Sequence, residues 1–120
     1  TVVSFSSIEY DTASCYNTST YRFTPNVAGY YQVNGSINLV GTAIILGLCS
    51  IYKNGSEFKR GNALTGVSTG QAIINVSSII YLNGTSDYVT LYAYVSGASP
   101  VLVSGTGAWC YFQAAMIRSA

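Results

Sequence analysis

The groups in this chain that could do chemistry are few. There is no histidine, the usual general base near neutral pH, so the serine and cysteine nucleophiles lack their common activator. Four carboxylates, Glu9, Asp11, Glu57 and Asp87, remain as acid/base candidates. Asp11 and Asp87 are read as turn or strand-end acceptors for backbone N–H groups, a routine role for Asp. Cys15, Cys49 and Cys110 show no metal-ligand spacing and leave at least one thiol unpaired. They are read as small buried hydrophobes, with a Cys15–Cys110 bridge left open. The expectation is a protein without an enzymatic centre.

The elements that would position such groups must come from a chain of 120 residues, the size of one ordinary domain. Lys and Arg number 5 and Asp and Glu 4, so 8% of residues are charged while 49% are hydrophobic. An average soluble domain carries roughly 25% charge. A surface this poor in charge fits burial against other subunits, because obligate interfaces resemble a core cut in half. The competing reading is a monomer coated with Ser, Thr, Asn and Gly; we expect the oligomer. The cations Arg22, Lys53, Lys59, Arg60 and Arg118 are scattered and the net charge is +1, which excludes the basic face that nucleic acid requires. The longest apolar run, Ala43-Ile44-Ile45-Leu46-Gly47-Leu48, falls far short of the roughly 18 residues of a membrane span, so no membrane insertion is expected.

Turn clusters divide the chain into short β-branched and aromatic runs, the pattern of a sandwich or barrel. Strands are predicted over residues 2–10, 20–23, 29–39, 43–53, 71–82, 88–95, 101–105 and 109–117. Asn54-Gly55 and Asn83-Gly84 predict tight hairpin turns, since both residue types tolerate positive φ. Residues 54–70 are polar and bear Gly55, Gly61, Gly66 and Gly70, so they are read as a loop or weak edge strand. Along residues 88–95 the alternation puts Val89, Leu91, Ala93 and Val95 on a core face. Tyr88, Tyr92 and Tyr94 stand on the other face with Thr90. Tyr is enriched at interfaces, and these three with Tyr111 are the predicted interface tyrosines. The last strand is apolar on both sides and is predicted to be central and covered.

The spacing Phe5-x5-Asp11-x4-Tyr16-x6-Phe23-x5-Gly29-x-Tyr31 resembles the signature of the complement component 1q globular head family, itself related to the tumour necrosis factor jelly roll. Ile51-Tyr52-Lys53-Asn54-Gly55 is similar to that family's central strand and turn, and Asp87-Tyr88-Val89-x-Leu91 to a later strand. Phe112-x-Ala114-x-Met116-Ile117 is similar to its terminal strand, with Ala114 in place of the usual glycine. The resemblance implies an all-β, ten-strand-type jelly-roll sandwich, one domain over residues 1–120, assembled as a homotrimer. The family's first strand, upstream of Phe5, is expected from a longer parent chain of which this is the C-terminal head. It also implies one place for calcium, with Asp87 joined by backbone carbonyls or by its symmetry mates. Calcium takes about six to eight oxygens, and with four acids in the chain no cofactor is expected.

Two features favour phage and virus members of that group. Val33 and Gly35 stand where the animal signature continues with aromatics, and the segments 23–31 and 81–88 look most like the viral members. Five Asn-x-Ser/Thr sequons begin at Asn17, Asn34, Asn54, Asn75 and Asn83. Asn34 and Asn75 fall within predicted strands, where a glycan would disrupt a sheet or interface. The expected function is a virion surface head, a fibre tip or adsorption domain that binds a host receptor or glycan. Lys53, Lys59 and Arg60 are the ligand-loop candidates. A structural capsid decoration attached to the shell is the alternative, and a secreted recognition head is the third reading.

Overall fold

The computed structural model describes the backbone of residues 1–103 and 107–120, and the side chains of residues 1–99 and 107–120. All its regular elements are strands: β1 (Tyr16–Asn17), β2 (Arg22–Phe23), β3 (Gly29–Lys53), β4 (Ser56–Leu82), β5 (Val89–Val103) and β6 (Tyr111–Ser119). They form one antiparallel sheet of order β1-β2-β5-β3-β4, with β6 also paired to β3.

Strands of 25 and 27 residues far exceed the usual length of roughly 3–10, and these bend. Gly41 pairs with Gly70, Ile44 with Val67 and with Gly97, and the β3–β5 register shifts between Val40 and Leu46. Ala43 lies at φ +50, Gly70 at φ +117 and Gly97 at φ +142. These irregular residues line up across neighbouring strands and turn the sheet through a corner, as bulges do. The first layer comprises residues 29–40, 71–82, 101–103 and β6. The second comprises residues 44–53, 56–67 and 89–97 with the short β1 and β2.

The two layers face each other across the core. Tyr31, Val33, Ile37 and Leu39 of the first layer and Cys49, Ile51, Val89, Leu91 and Ala93 of the second are all buried in one hydrophobic cluster. Glycines permit the closest approaches. A Cβ at Gly35 would overlap the Leu91 side chain, and one at Gly61 would lie 2.7 Å from the Val76 Cα.

The alternation over Val89, Leu91 and Ala93 matches the core. Other expectations need correction. The stretches 29–39 and 43–53 form one continuous strand, as do 88–95 and 101–103; residues 104 and 105 of the predicted 101–105 strand lie outside the described residues. Of the two readings of residues 54–70, loop or weak edge strand, the second holds for residues 56–70: they belong to the long edge strand β4, polar because most of their side chains face solvent. Lys53-Asn54-Gly55-Ser56 is a two-residue hairpin with φ +52 and +84 at its centre. Asn83-Gly84 is not a hairpin: β4 and β5 do not pair, and the turn carries the chain to the other layer. Residues 2–10 form no strand beyond a bridge from Val2 to Tyr92, supported by Val3 N–H donating to the Leu91 carbonyl at 2.9 Å. The last strand is not central: among the described residues β6 pairs with β3 alone and exposes Met116 and Ile117.

Candidate functional site

The residues of the opening signature gather at one end of the core. Phe23 is buried between Tyr31, at 5.7 Å between ring centroids, and Phe112, at 6.1 Å. Tyr16 lies 5.7 Å from Phe112, and Phe5 packs against the same cluster. Such tilted and edge-on pairs add to the area buried. The Tyr31 hydroxyl donates to the Val27 carbonyl at 2.7 Å, tying the turn after Phe23 to the core. Gly29 is required by space, since its Cβ would overlap the Arg118 carbonyl of β6. Burial pushes the Tyr16 hydroxyl up to about 12, so it stays protonated at neutral pH.

Both aspartates hold backbone. Asp11 accepts from the N–H of Cys15 at 3.0 Å and of Tyr16 at 2.8 Å, which fixes the entry to β1. Asp87 accepts from the Asn54 side-chain amide at 2.8 Å and the Asn83 N–H at 3.1 Å, and pairs with Lys53 at 3.3 Å. The Asn54 hydrogen bond, aided by Lys53 and the Asn83 N–H, holds its carboxyl below the usual carboxylate range. Folding therefore gains stability from Asp87 that is present above its unfolded pKa, and loses it as pH falls through the lower folded value. Asp87→Asn is expected to shift the urea midpoint downward at pH 7, and wild type and variant to converge as pH falls below the lowered folded pKa of Asp87. A midpoint difference independent of pH would contradict this role.

The thiols show no nucleophile's setting. Cys49 is buried in the core, and desolvation pushes its thiol up to about 12, which suppresses the reactive thiolate. Cys15 is a free thiol near the Ala13 carbonyl, so the Cys15–Cys110 bridge is not made. The Cys110 sulfur accepts the Asn38 N–H at 3.2 Å.

An open cleft of about 1390 Å³ runs between β6 and residues 1–13. Phe5, Tyr16, Phe23, Tyr31, Phe112 and Met116 line it, together with Cys15, Cys110, Glu9 and Asp11. Because both Asp11 oxygens are engaged with backbone, its walls offer Glu9 as the remaining carboxylate and no paired base. Among the described residues no three His, Cys, Asp or Glu side chains gather as a metal site.

The ligand-loop cations flank the β3–β4 hairpin. Lys53 is held by Asp87 and donates to the Tyr81 carbonyl at 2.8 Å. Arg60 binds both oxygens of Glu57, at 2.8 and 3.0 Å. Lys59 stands over the Phe58 ring at 5.4 Å. Two of the three cations therefore have carboxylate partners.

The four interface tyrosines do not share one face. Tyr88, Tyr92 and Tyr94 project from the second layer, where Tyr92 stacks on Tyr52 at 3.9 Å and Arg22 covers Tyr88 at 4.0 Å. Tyr111 opens β6, paired with Ser36 in the first layer.

Tyr111 lies on the outer side of the first layer, on a surface of which the interface candidates included no other residue. Tyr30, Ile73, Ile79, Tyr81 and Ile117 are exposed on its outer side. Tyr30 and Tyr81 pair at 5.5 Å, and Tyr30, Ile79, Ile117 and Arg118 line a shallow depression. Beside them Gln32 donates to Asn34 at 2.9 Å and to Ser77 at 2.8 Å, while Ser77 donates to Asn34 at 2.7 Å. Of the charged residues in the chain, the first layer carries Arg118 alone. The signal was legible in residues 71–82, where Ile73, Ile79 and Tyr81 alternate with Ile74, Val76, Ile80 and Leu82: both faces are apolar. No family model and no curated protein matches the chain, so the functional reading rests on these residues.

Proposed function

We propose that this chain is a non-enzymatic homotrimeric head of the complement component 1q and tumour necrosis factor-like jelly-roll type, displayed on a virion surface, where it binds a host receptor or glycan. One observation carries the assembly part of this reading: the outer face of the first layer is apolar, nearly devoid of charge and centred on a self-satisfied uncharged network. Scattered exposed apolar residues are ordinary, but a contiguous patch marks an interaction surface. A homotrimer buries the same patch three times, and placing the charge elsewhere lowers the desolvation that burial would incur. Among the described residues the far edge of β6 is unpaired, which suits an additional strand of the jelly roll. The virion assignment draws on the signature, its departures at Val33 and Gly35, and the sequons at Asn34 in β3 and Asn75 in β4.

Binding of the labelled domain to whole cells of candidate hosts and to purified capsid shells tests the function. The adsorption head predicts saturable binding to cells of at least one host. Binding to shells with none to any cell would overturn it in favour of capsid decoration.

A further inference from the structure

Burying the outer face of the first layer leaves the outer face of the second pointing the opposite way, into solvent. That second face is chemically different. Tyr52 and Tyr92 stand side by side as parallel rings, and Tyr94, two residues along β5, is 53% exposed. Ser50 lies opposite Tyr92 on one side and Arg60 on the other, while Tyr52 lies opposite Glu57. One short row across the sheet thus joins an aromatic cluster to a guanidinium–carboxylate pair.

The pair is pre-organised. The Ser50 hydroxyl, itself buried, donates to Glu57 Oε1 at 2.8 Å, and Arg60 grips both oxygens of the same carboxylate. A carboxylate offers about four lone-pair sites and a guanidinium about five N–H donors. Three acceptor sites and two donors are used internally, which leaves one acceptor and several donors facing water. The Arg60 side chain is 54% exposed, so those donors are accessible. Rigid Tyr rings give contact area at little entropic cost, and a few fixed polar groups orient what lies on them.

We propose that this face binds a neutral pyranose. The apolar C–H face of the sugar ring lies against Tyr92 and Tyr94, and its hydroxyls bond to the Arg60–Glu57 pair. The ligand is neutral because the charges beside it are already balanced: Glu57 neutralises Arg60, and Asp87 neutralises Lys53. An anionic sugar finds no uncompensated cation beside Tyr92 and Tyr94, since Arg22, the cation of this face without a carboxylate partner, is held over the Tyr88 ring at 4.0 Å; this replaces the basic patch that Lys53, Lys59 and Arg60 suggest in sequence. The inference rests on the reading of the chain as an assembled surface head, and supplies its ligand class.

NMR titration of the full chain with the methyl glycosides of galactose, glucose, mannose and N-acetylglucosamine tests it, with N-acetylneuraminic acid as the anionic comparator. At least one neutral glycoside is expected to shift the Tyr92 and Tyr94 ring signals saturably, with a Kd of about 1–10 mM, and the anionic sugar to bind about tenfold more weakly. Tyr94→Ala and Arg60→Ala are each expected to weaken binding about tenfold, and Lys59→Ala to leave it unchanged. No saturable shift up to about 50 mM, tighter binding of the anionic sugar, or dependence on Lys59 would overturn the proposal. Sedimentation of the same samples separates the two levels. A trimer that binds no sugar overturns the ligand class alone, whereas a monomer overturns the assembly beneath it.

Discussion

Ile79→Asp is expected to convert the assembled domain to monomers. Ile79 is 53% exposed and sits with Tyr30 and Ile117 around one depression, on a layer whose own single charge is Arg118, with Lys53, already paired with Asp87, reaching the Tyr81 ring at 5.8 Å. In the trimer each copy would bury one new carboxylate among apolar groups. The effective penalty for burying an unpaired ion is several kcal/mol; at about 3 kcal/mol each interface weakens more than a hundredfold. Sedimentation velocity across a dilution series reads the result. Ile45→Asp is the control: Ile45 is 68% exposed at the corner of β3, away from this face, and the same change there is expected to leave the assembled mass intact. Equal behaviour of the two variants, in either direction, would contradict the assignment of the interface.

Gly61→Ala is expected to cost monomer stability through overpacking alone, since no positive φ adds to the clash there. At residues 61–62 and 75–76, β4 folds back beside itself as it passes from one layer to the other. The Asn62 side chain accepts the Asn75 N–H at 3.2 Å, and a Cβ at Gly61 would overlap the Asn75 carbonyl and approach the Val76 Cα to 2.7 Å. Backbone cannot swing aside as a side-chain end can, so the layers must separate. Overpacking of this kind costs about 1–3 kcal/mol, and we expect the upper end. Gly66 isolates the other cause of glycine preference. It has φ +71 and no atom within 4 Å of its Cβ position, so Gly66→Ala meets backbone strain alone, about 1–2 kcal/mol. Urea denaturation of the two variants measures the difference. A Gly61→Ala protein as stable as wild type would mean that the layers are not in this contact.

The core of the second layer was legible because apolar residues recur at every second position of β5: Val89, Leu91 and Ala93 are buried in the core, while Tyr94 is exposed. The signature was legible as packing, since its aromatics converge on Phe23 and its Asp11 caps backbone. The corner was not. Gly41, Gly66, Gly70 and Gly97 look like punctuation along the chain, but paired strands bring their irregularities side by side, and the strands bend without ending. Polar composition left residues 56–67 undecided between loop and edge strand, because an outer strand with little burial lacks the apolar alternation that reveals a strand.

Residues 2–10 failed in the opposite sense. They carry strand-like residues, yet after Val3 no neighbouring edge takes them up, and pairing depends on a partner that local pattern does not specify. The interface tyrosines were misgrouped for a related reason. Alternation gives the face of a strand, but which layer that strand joins is set by topology. So Tyr111 parted from Tyr88, Tyr92 and Tyr94, and it was the one candidate on the face that carries Tyr30, Ile79, Tyr81 and Ile117.

The central claim is that this charge-poor sheet face is covered by two further copies of the same chain. Sedimentation equilibrium of the purified domain at micromolar concentration tests it most directly. The account predicts a single species of three times 12.7 kDa that persists on dilution. A stable species of 12.7 kDa would contradict it.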